Sequence, residues 1–177
     1  KDKVRADSKA ALAELVKRGI KPIMLTGDNQ KTAASVAEEV GLTGKVISIS
    51  DFKEGVKAED LAGIADVLPE DKLDMVKYFQ KAGYIVGMTG DGVNDILAMK
   101  EADCSIAMAS GNSAAVQASQ VVLLDSNFAK MPQVVNEGRQ VVNNIERSAG
   151  LFLVKNIFSL LMAVFSLILT INYPIKP

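Results

Sequence analysis

The 177-residue chain contains no histidine and one cysteine, Cys104. Without histidine, Ser-His-Asp triads and imidazole-ligated metals are excluded. A lone cysteine cannot build a disulfide framework, a thiolate zinc site or an iron–sulfur cluster. Acid–base chemistry therefore falls to Asp, Glu, Lys and Tyr, and any metal must be a hard cation held by oxygen. Net charge is −1, so no basic field points to nucleic acid. Acid is missing altogether after Glu146, whereas all 21 acidic and 18 of the 20 basic residues lie in 1–147. The chain starts at Lys1, stops at Pro177 and shows no signal peptide. It reads as a piece of a longer polypeptide, one domain with an appendage.

What is present is an alternation. Asp7-Ser8 can cap a helix with apolar positions at Leu12, Leu15 and Val16, closed by Gly19. Ile23-Met24-Leu25 then reads as a buried strand, and Asn29 caps a second helix that ends at Gly41. Val46 to Ile49 is a second strand. Residues 58–64 are expected as a short helix and Ala65-Asp66-Val67 as a minimal strand. Pro69 opens a helix ending at Gly83. Tyr84–Met88, Ser105–Met108 and Val121–Leu124 are further strands, and Asn94–Ala102 is a helix. Cys104, Met75, Tyr78 and Phe79 read as core packing. Strands alternating with helices imply an α/β fold, a mainly parallel sheet with helices on both faces. Ligands of such sheets bind beyond the carboxyl ends of the strands.

After residue 128 the strands stop and a long helix is expected. Leu151–Ile171 is apolar over 21 residues, about 31 Å as a helix at ~1.5 Å per residue, against a hydrocarbon core of about 30 Å. Its Leu, Ile, Phe and Val residues favour insertion by roughly 0.3–0.6 kcal/mol each, and Lys155 lies near one end, where it can snorkel. The reading is a transmembrane helix. Arg139, Arg147 and Lys155 precede the apolar centre and only Lys176 follows, which places residues 1–150 on the cytoplasmic side.

Two strand ends carry chemistry. Thr26-Gly27-Asp28-Asn29 joins a strand to a helix N-terminus, whose free N–H groups suit a phosphate. A strand–turn–helix with a capping Asn explains the same residues without a ligand. Thr89-Gly90-Asp91-Gly92-Val93-Asn94-Asp95 packs three polar acceptors around two glycines, and crowded carboxylates call for a cation. Magnesium suits them, with one or two carboxylates and a shell completed by water and phosphate. Lys72, in Pro69-Glu70-Asp71-Lys72, could meet a phosphoryl group. Spacing alone favours an ordinary exposed lysine there, because cations are disfavoured at helix starts.

Together these segments resemble the phosphorylation domain of P-type cation-transporting ATPases, members of the haloacid dehalogenase (HAD) superfamily. Thr26-Gly27-Asp28 matches T-G-D, Pro69 to Lys72 matches P-x-x-K, and Thr89 to Asp95 matches T-G-D-G-V-N-D. Asp2-Lys3-Val4-Arg5 resembles D-P-x-R, with Lys3 in place of Pro. Ala102-Asp103, Ile106-Ala107-Met108 and Glu137-Gly138-Arg139 continue the pattern. The family has Gly and Thr where this chain reads Ala109-Ser110-Gly111-Asn112-Ser113.

The resemblance implies a Rossmann-like HAD sheet over 1–130, a stalk helix over 131–150, the fifth membrane helix over 151–171 and the start of an outer loop at 172–177. It implies ATP as substrate, Mg²⁺ as cofactor, and an aspartyl phosphate that drives cation movement. Thr26 would bond the phosphoryl oxygens and Lys72 would neutralise them. Asp91 and Asp95 would hold Mg²⁺, and Asn94 would complete the shell. Gly27, Asp28 and Arg5 would lie near nucleotide. The family's nucleophile, the Asp of D-K-T-G, is not in the sequence, so the isolated chain is expected not to form a phosphoenzyme and to bind Mg²⁺ weakly. Asp51, in Asp51-Phe52-Lys53-Glu54-Gly55, is a lookalike without the Thr and reads as a loop Asp. Asn156 and Ser159 share a helix face and are candidate ligands of the transported cation, with calcium the candidate ion. Interhelical hydrogen bonding accounts for them equally. Lipid bilayer and the remaining domains of a multi-pass plasma-membrane pump are the implied partners. The competing readings are a soluble HAD-type phosphatase, which should lack the apolar span, and a non-catalytic HAD-like module, which has no need of the crowded carboxylates.

Overall fold

A computed structural model describes residues 7–53 and 55–169. The 2–5 motif with Arg5, Glu54 within the Asp51 lookalike, and the expected outer loop lie outside the described residues. The chain divides into two compact units, one ending at Pro132 and one beginning at Gln133.

In the first unit, helices and strands alternate. Helix α1 (Ser8–Lys17) is followed by strand β1 (Met24–Leu25), α2 (Gln30–Val40) and β2 (Lys45–Ser48). Strand β3 (Leu61–Ala65) leads to α3 (Pro69–Lys81), β4 (Gly87–Gly90), α4 (Ile96–Glu101), β5 (Cys104–Met108), α5 (Ser113–Ala118) and β6 (Val121–Leu123). All strand pairs are parallel, as the alternation predicts. They form two three-stranded sheets, ordered β1-β3-β2 and β4-β5-β6. Among the described residues, β1 and β4 are therefore edge strands.

The two sheets share packing at those edges. One core cluster contains Val76, Met88, Met99, Ala107 and Ala115, and the other Leu61, Ile64, Val67, Met75 and Phe79. Leu25 of β1 and Val86, one residue before β4, pack against both. Helix α3 serves both clusters, because Met75 and Phe79 point one way and Val76, about 100° round the helix, points another. Gly83 lies beyond the end of α3 at φ 90° and stops it.

Residues 58–67 differ from expectation. A 3₁₀ turn occupies Ala58–Asp60, and Leu61–Ala65 is a strand buried at every position. A central parallel strand needs no alternation, so a short Leu-Ala-Gly-Ile-Ala run shows no period that separates strand from helix. Pairing on both sides decides it: Ile64 is opposite Leu25 on one side and Ile47 on the other. The strand expected at 84–88 is displaced to 87–90. Asp103 accepts a hydrogen bond from Val86 N–H at 2.8 Å and so holds the approach to β4. Asp7 precedes α1 without capping it, and its carboxylate accepts from Asn127 Nδ2 instead.

Among the described residues the second unit is a single helix. Helix α6 (Met131–Leu169) begins in the first unit and continues for 39 residues, about 58 Å at ~1.5 Å per residue. It is long and apolar enough to cross a membrane, and none of its most apolar stretch is buried. Gly138 and Gly150 lie within it without breaking it.

Two outcomes are expected in detergent-solubilised protein. Ile64→Ala, at a fully buried position, should lower unfolding stability by about 2–5 kcal/mol, whereas Ile85→Ala, at a 90% exposed one, should change it by less than about 0.5 kcal/mol. The Val86 N–H, and secondarily Gln80, hold the Asp103 carboxyl below the usual aspartate range. Its contribution is thus present above the ordinary aspartate pKa and lost as pH falls through the depressed one. Asp103→Asn should flatten the acid limb of a stability-versus-pH curve.

Candidate functional site

The site lies where the parallel strands end. After β1, Thr26 is fixed to β3 at both backbone groups: its N–H donates to Ile64 O at 3.1 Å, and its C=O accepts from Val67 N–H at 3.0 Å. Thr26 Oγ1 accepts from Asp28 N–H at 3.1 Å, which leaves the hydroxyl hydrogen to donate elsewhere. Asn29 Oδ1 accepts from Thr32 N–H at 2.9 Å and caps α2, as its position predicts. Gly27 and Asp28 are exposed. The Asp28 carbonyl accepts from Asp66 N–H, and Asp66 sits in the left-handed region at φ 58°. Asp66 is thus a strained residue at the same strand ends, and Ser48 Oγ donates to its carboxylate at 2.9 Å.

After β4, Asp91 and Asn94 are exposed, while Asp95 is buried on the 3₁₀ turn Val93–Asp95. The burial depends on Gly90: a Cβ there would stand 2.5 Å from Asp95 Cβ. Asp95 Oδ1 accepts from Lys72 Nζ at 2.6 Å, and Oδ2 accepts weakly from Gly92 N–H at 3.4 Å. The Lys72 side chain is only 17% exposed, so the ordinary surface lysine favoured by spacing alone is corrected. A cation at a helix start is tolerated because Asp95 faces it, and Glu70 and Asp71 share the first turn. Asp71 also accepts from Leu68 N–H at 2.8 Å, one half of a capping box.

Lys72 follows β3 of one sheet and Asp95 follows β4 of the other, so their contact brings the carboxyl ends of both sheets to one place. The result is a cation, a hydroxyl, a helix N-terminus and an exposed carboxylate. Among the described residues the Asp91 carboxylate has no hydrogen bond or ion pair, and no group of three or more acid or Cys side chains could hold a metal. This donor set fits magnesium, which needs one or two carboxylates and takes water for the rest. Asp91 would hold the ion directly. Asp95 has one oxygen committed to Lys72. When bound, the ion would neutralise phosphoryl oxygens. Asp51 sits on a 3₁₀ turn after β2, separated from β1 by β3. Asn156 and Ser159 lie on α6 in the second unit.

Sequence reading missed α5 and the Gly111–Asn112 turn before it. Asn112 Oδ1 caps α5 by accepting from Ala114 N–H at 2.9 Å. A Gly-Asn-Ser turn ahead of an alanine-rich run was the available signal.

Residues 1–103 match the haloacid dehalogenase-like hydrolases, and the chain belongs to that family. Its relatives within the family are P-type cation-transporting ATPases. The calcium-transporting ATPase CtpE of Mycobacterium bovis is 40% identical over 169 residues, which are 92% of this chain and 21% of that protein. A calcium-transporting ATPase of Bacillus subtilis is 36% identical over 99% of this chain and 21% of its own length. The crystal structure of a zinc-transporting PIB-type ATPase in the E2.Pi state superposes with a TM-score of 0.69 at 32% identity, covering 89% of this chain and 24% of that one. The chain thus spans about a fifth of the length of the curated relatives it matches.

The Lys72–Asp95 pair is open to a double-mutant cycle. Lys72→Met and Asp95→Asn, alone and combined, should give a coupling energy of about 1–3 kcal/mol in chemical unfolding. A value under about 0.5 kcal/mol would mark it as an ordinary surface pair.

Proposed function

We propose that this chain is the magnesium- and phosphate-binding part of the phosphorylation domain of an ATP-driven cation pump, joined to one of its membrane helices. ATP phosphorylates an aspartate supplied by another segment of the pump. Thr26 donates to the transferred phosphoryl group, and Lys72 balances its charge. Asp91 would hold Mg²⁺, and Asn94 and Asp95 would complete the shell. Gly27 and Asp28 lie toward the nucleotide.

The observation that carries this reading is the convergence of Lys72, Asp95 and Asp91, whose carboxylate has no partner among the described residues, at the carboxyl ends of two parallel sheets. The unpaired edges of β1 and β4 support it further. Leu25 and Val86 beside those edges share both core clusters, so one more parallel strand between β1 and β4 would join the sheets and bring a carboxylate to the site. A D-K-T-G strand has that chemistry. The relatives' names favour calcium as the ion. Asn156 and Ser159 would supply neutral oxygens, with charge from other helices. The apolar length of α6 supports a membrane span and argues against a soluble phosphatase. The bias of Arg139, Arg147 and Lys155 to one end supports residues 1–150 in the cytoplasm. The names of the relatives support a multi-pass plasma-membrane pump.

The test is acid-stable labelling from γ-labelled ATP. Full-length protein in membrane vesicles should take the label in a calcium-dependent manner, and the isolated chain should take none. Lys72→Ala should slow labelling by about 10²–10³-fold, and Asn156→Ala should raise the calcium requirement. Label on the isolated chain, or calcium-independent labelling with another cation required, would overturn the corresponding part.

A further inference from the structure

The loop after β5 touches the backbone of Asp91. The Asn112 N–H donates to the Asp91 carbonyl at 2.7 Å. Gly111 leaves no room for a side chain: a Cβ there would stand 2.8 Å from Asp91 O, 3.0 Å from Asp91 Cα and 3.0 Å from Met108 O. All three atoms are backbone, so no side chain can swing aside to make room. The loop is itself held from several directions. Gly111 N–H donates to Met108 O at 2.9 Å, Ala109 N–H to Leu123 O at 3.0 Å, and Ser110 N–H to Ser126 Oγ at 2.8 Å. The Asn112 carboxamide caps α5, which fixes the backbone direction in which its own N–H points.

Asp91 thus has an exposed carboxylate on an anchored main chain. Its own turn runs through Gly92, which is tied to Asp95 through Gly92 O at 3.2 Å and weakly through its N–H at 3.4 Å. The geometry points to Gly111 and Asn112 as positioning residues for Asp91: they form a backbone seat, built by β5 and α5, that fixes where the carboxylate presents itself to a divalent cation. The inference rests on the reading of Asp91 as metal ligand. It also gives a physical role to a stretch that departs from the family pattern. Asn112 supplies what the seat requires, a backbone N–H and a capping oxygen.

The test uses full-length protein in detergent, with Mn²⁺ as the probe and electron paramagnetic resonance as the binding readout. Gly111→Ala should weaken Mn²⁺ binding by about 10-fold or more, the range seen when groups that orient a ligand are lost. Nucleotide affinity, measured in parallel without metal, should not move, whereas general unfolding would lower both. Asn112→Ser keeps the N–H and a capping oxygen and should bind Mn²⁺ within about 2-fold of the unaltered protein. Unchanged Mn²⁺ affinity in Gly111→Ala would overturn the seat. Asp91→Asn separates the two claims. If it weakens Mn²⁺ binding while Gly111→Ala does not, only the seat fails. If Asp91→Asn has no effect, Asp91 is not a ligand and both fall. Should Gly111→Ala not fold, hydrogen exchange on the unaltered protein decides: the Asn112 amide should be protected, and fast exchange there would reject the seat.

Discussion

The arrangement of the candidate site depends on one contact, the 2.6 Å ion pair between Lys72 and Asp95. It joins the helix that follows β3 to the turn that follows β4, and so links two sheets that share no hydrogen-bonded ladder among the described residues. Both side chains are largely withdrawn from water. In such a setting a pair is weak evidence for stability, because desolvation offsets much of the attraction. What it supplies is placement. It keeps Lys72 out of solvent and directed at the strand ends, the arrangement a phosphoryl-binding cation needs before substrate arrives.

Glycine governs how closely the other parts approach. Gly90 allows Asp95 to tuck under the end of β4, and Gly111 allows the following loop to lie against Asp91. The two carboxylates of one short motif therefore reach different ends. Asp95 is turned inward onto a lysine, whereas Asp91 stays exposed on an anchored backbone. Crowded carboxylates repel. Here the fold relieves that repulsion at one of them with a cation of its own and leaves the other exposed.

The unpaired edges of β1 and β4 are the second organising feature. Exposed strand edges invite pairing, and proteins usually cover them. Leu25 and Val86 are only partly buried and pack against both clusters, which leaves apolar surface beside those edges. An inserted parallel strand would meet hydrogen-bonding partners on each side and place its carboxyl end among Thr26, Lys72 and Asp91. The proposed reaction needs its nucleophile there.

Much of this was legible along the chain. Strand-to-loop-to-helix punctuation located Thr26, Asn29, Pro69 and Asp91, because Gly, Pro and capping residues act locally and their geometry does not depend on distant partners. The apolar length of 151–169 was legible for the same reason. What could not be read was anything decided by contact across the fold. Residues 61–65 carry no period, and only pairing with β1 and β2 makes them a strand. Lys72 looked exposed because its partner is 23 residues away. The support under Asp91 comes from Asn112, a residue whose sequence signature is merely that of a helix cap. The sequence by itself determined which strand ends carry the polar, glycine-rich turns and which segment is long and apolar enough for a bilayer. Tertiary structure alone decided which carboxylate is buried and which is free, since burial and close backbone approach depend on neighbours distant in the chain.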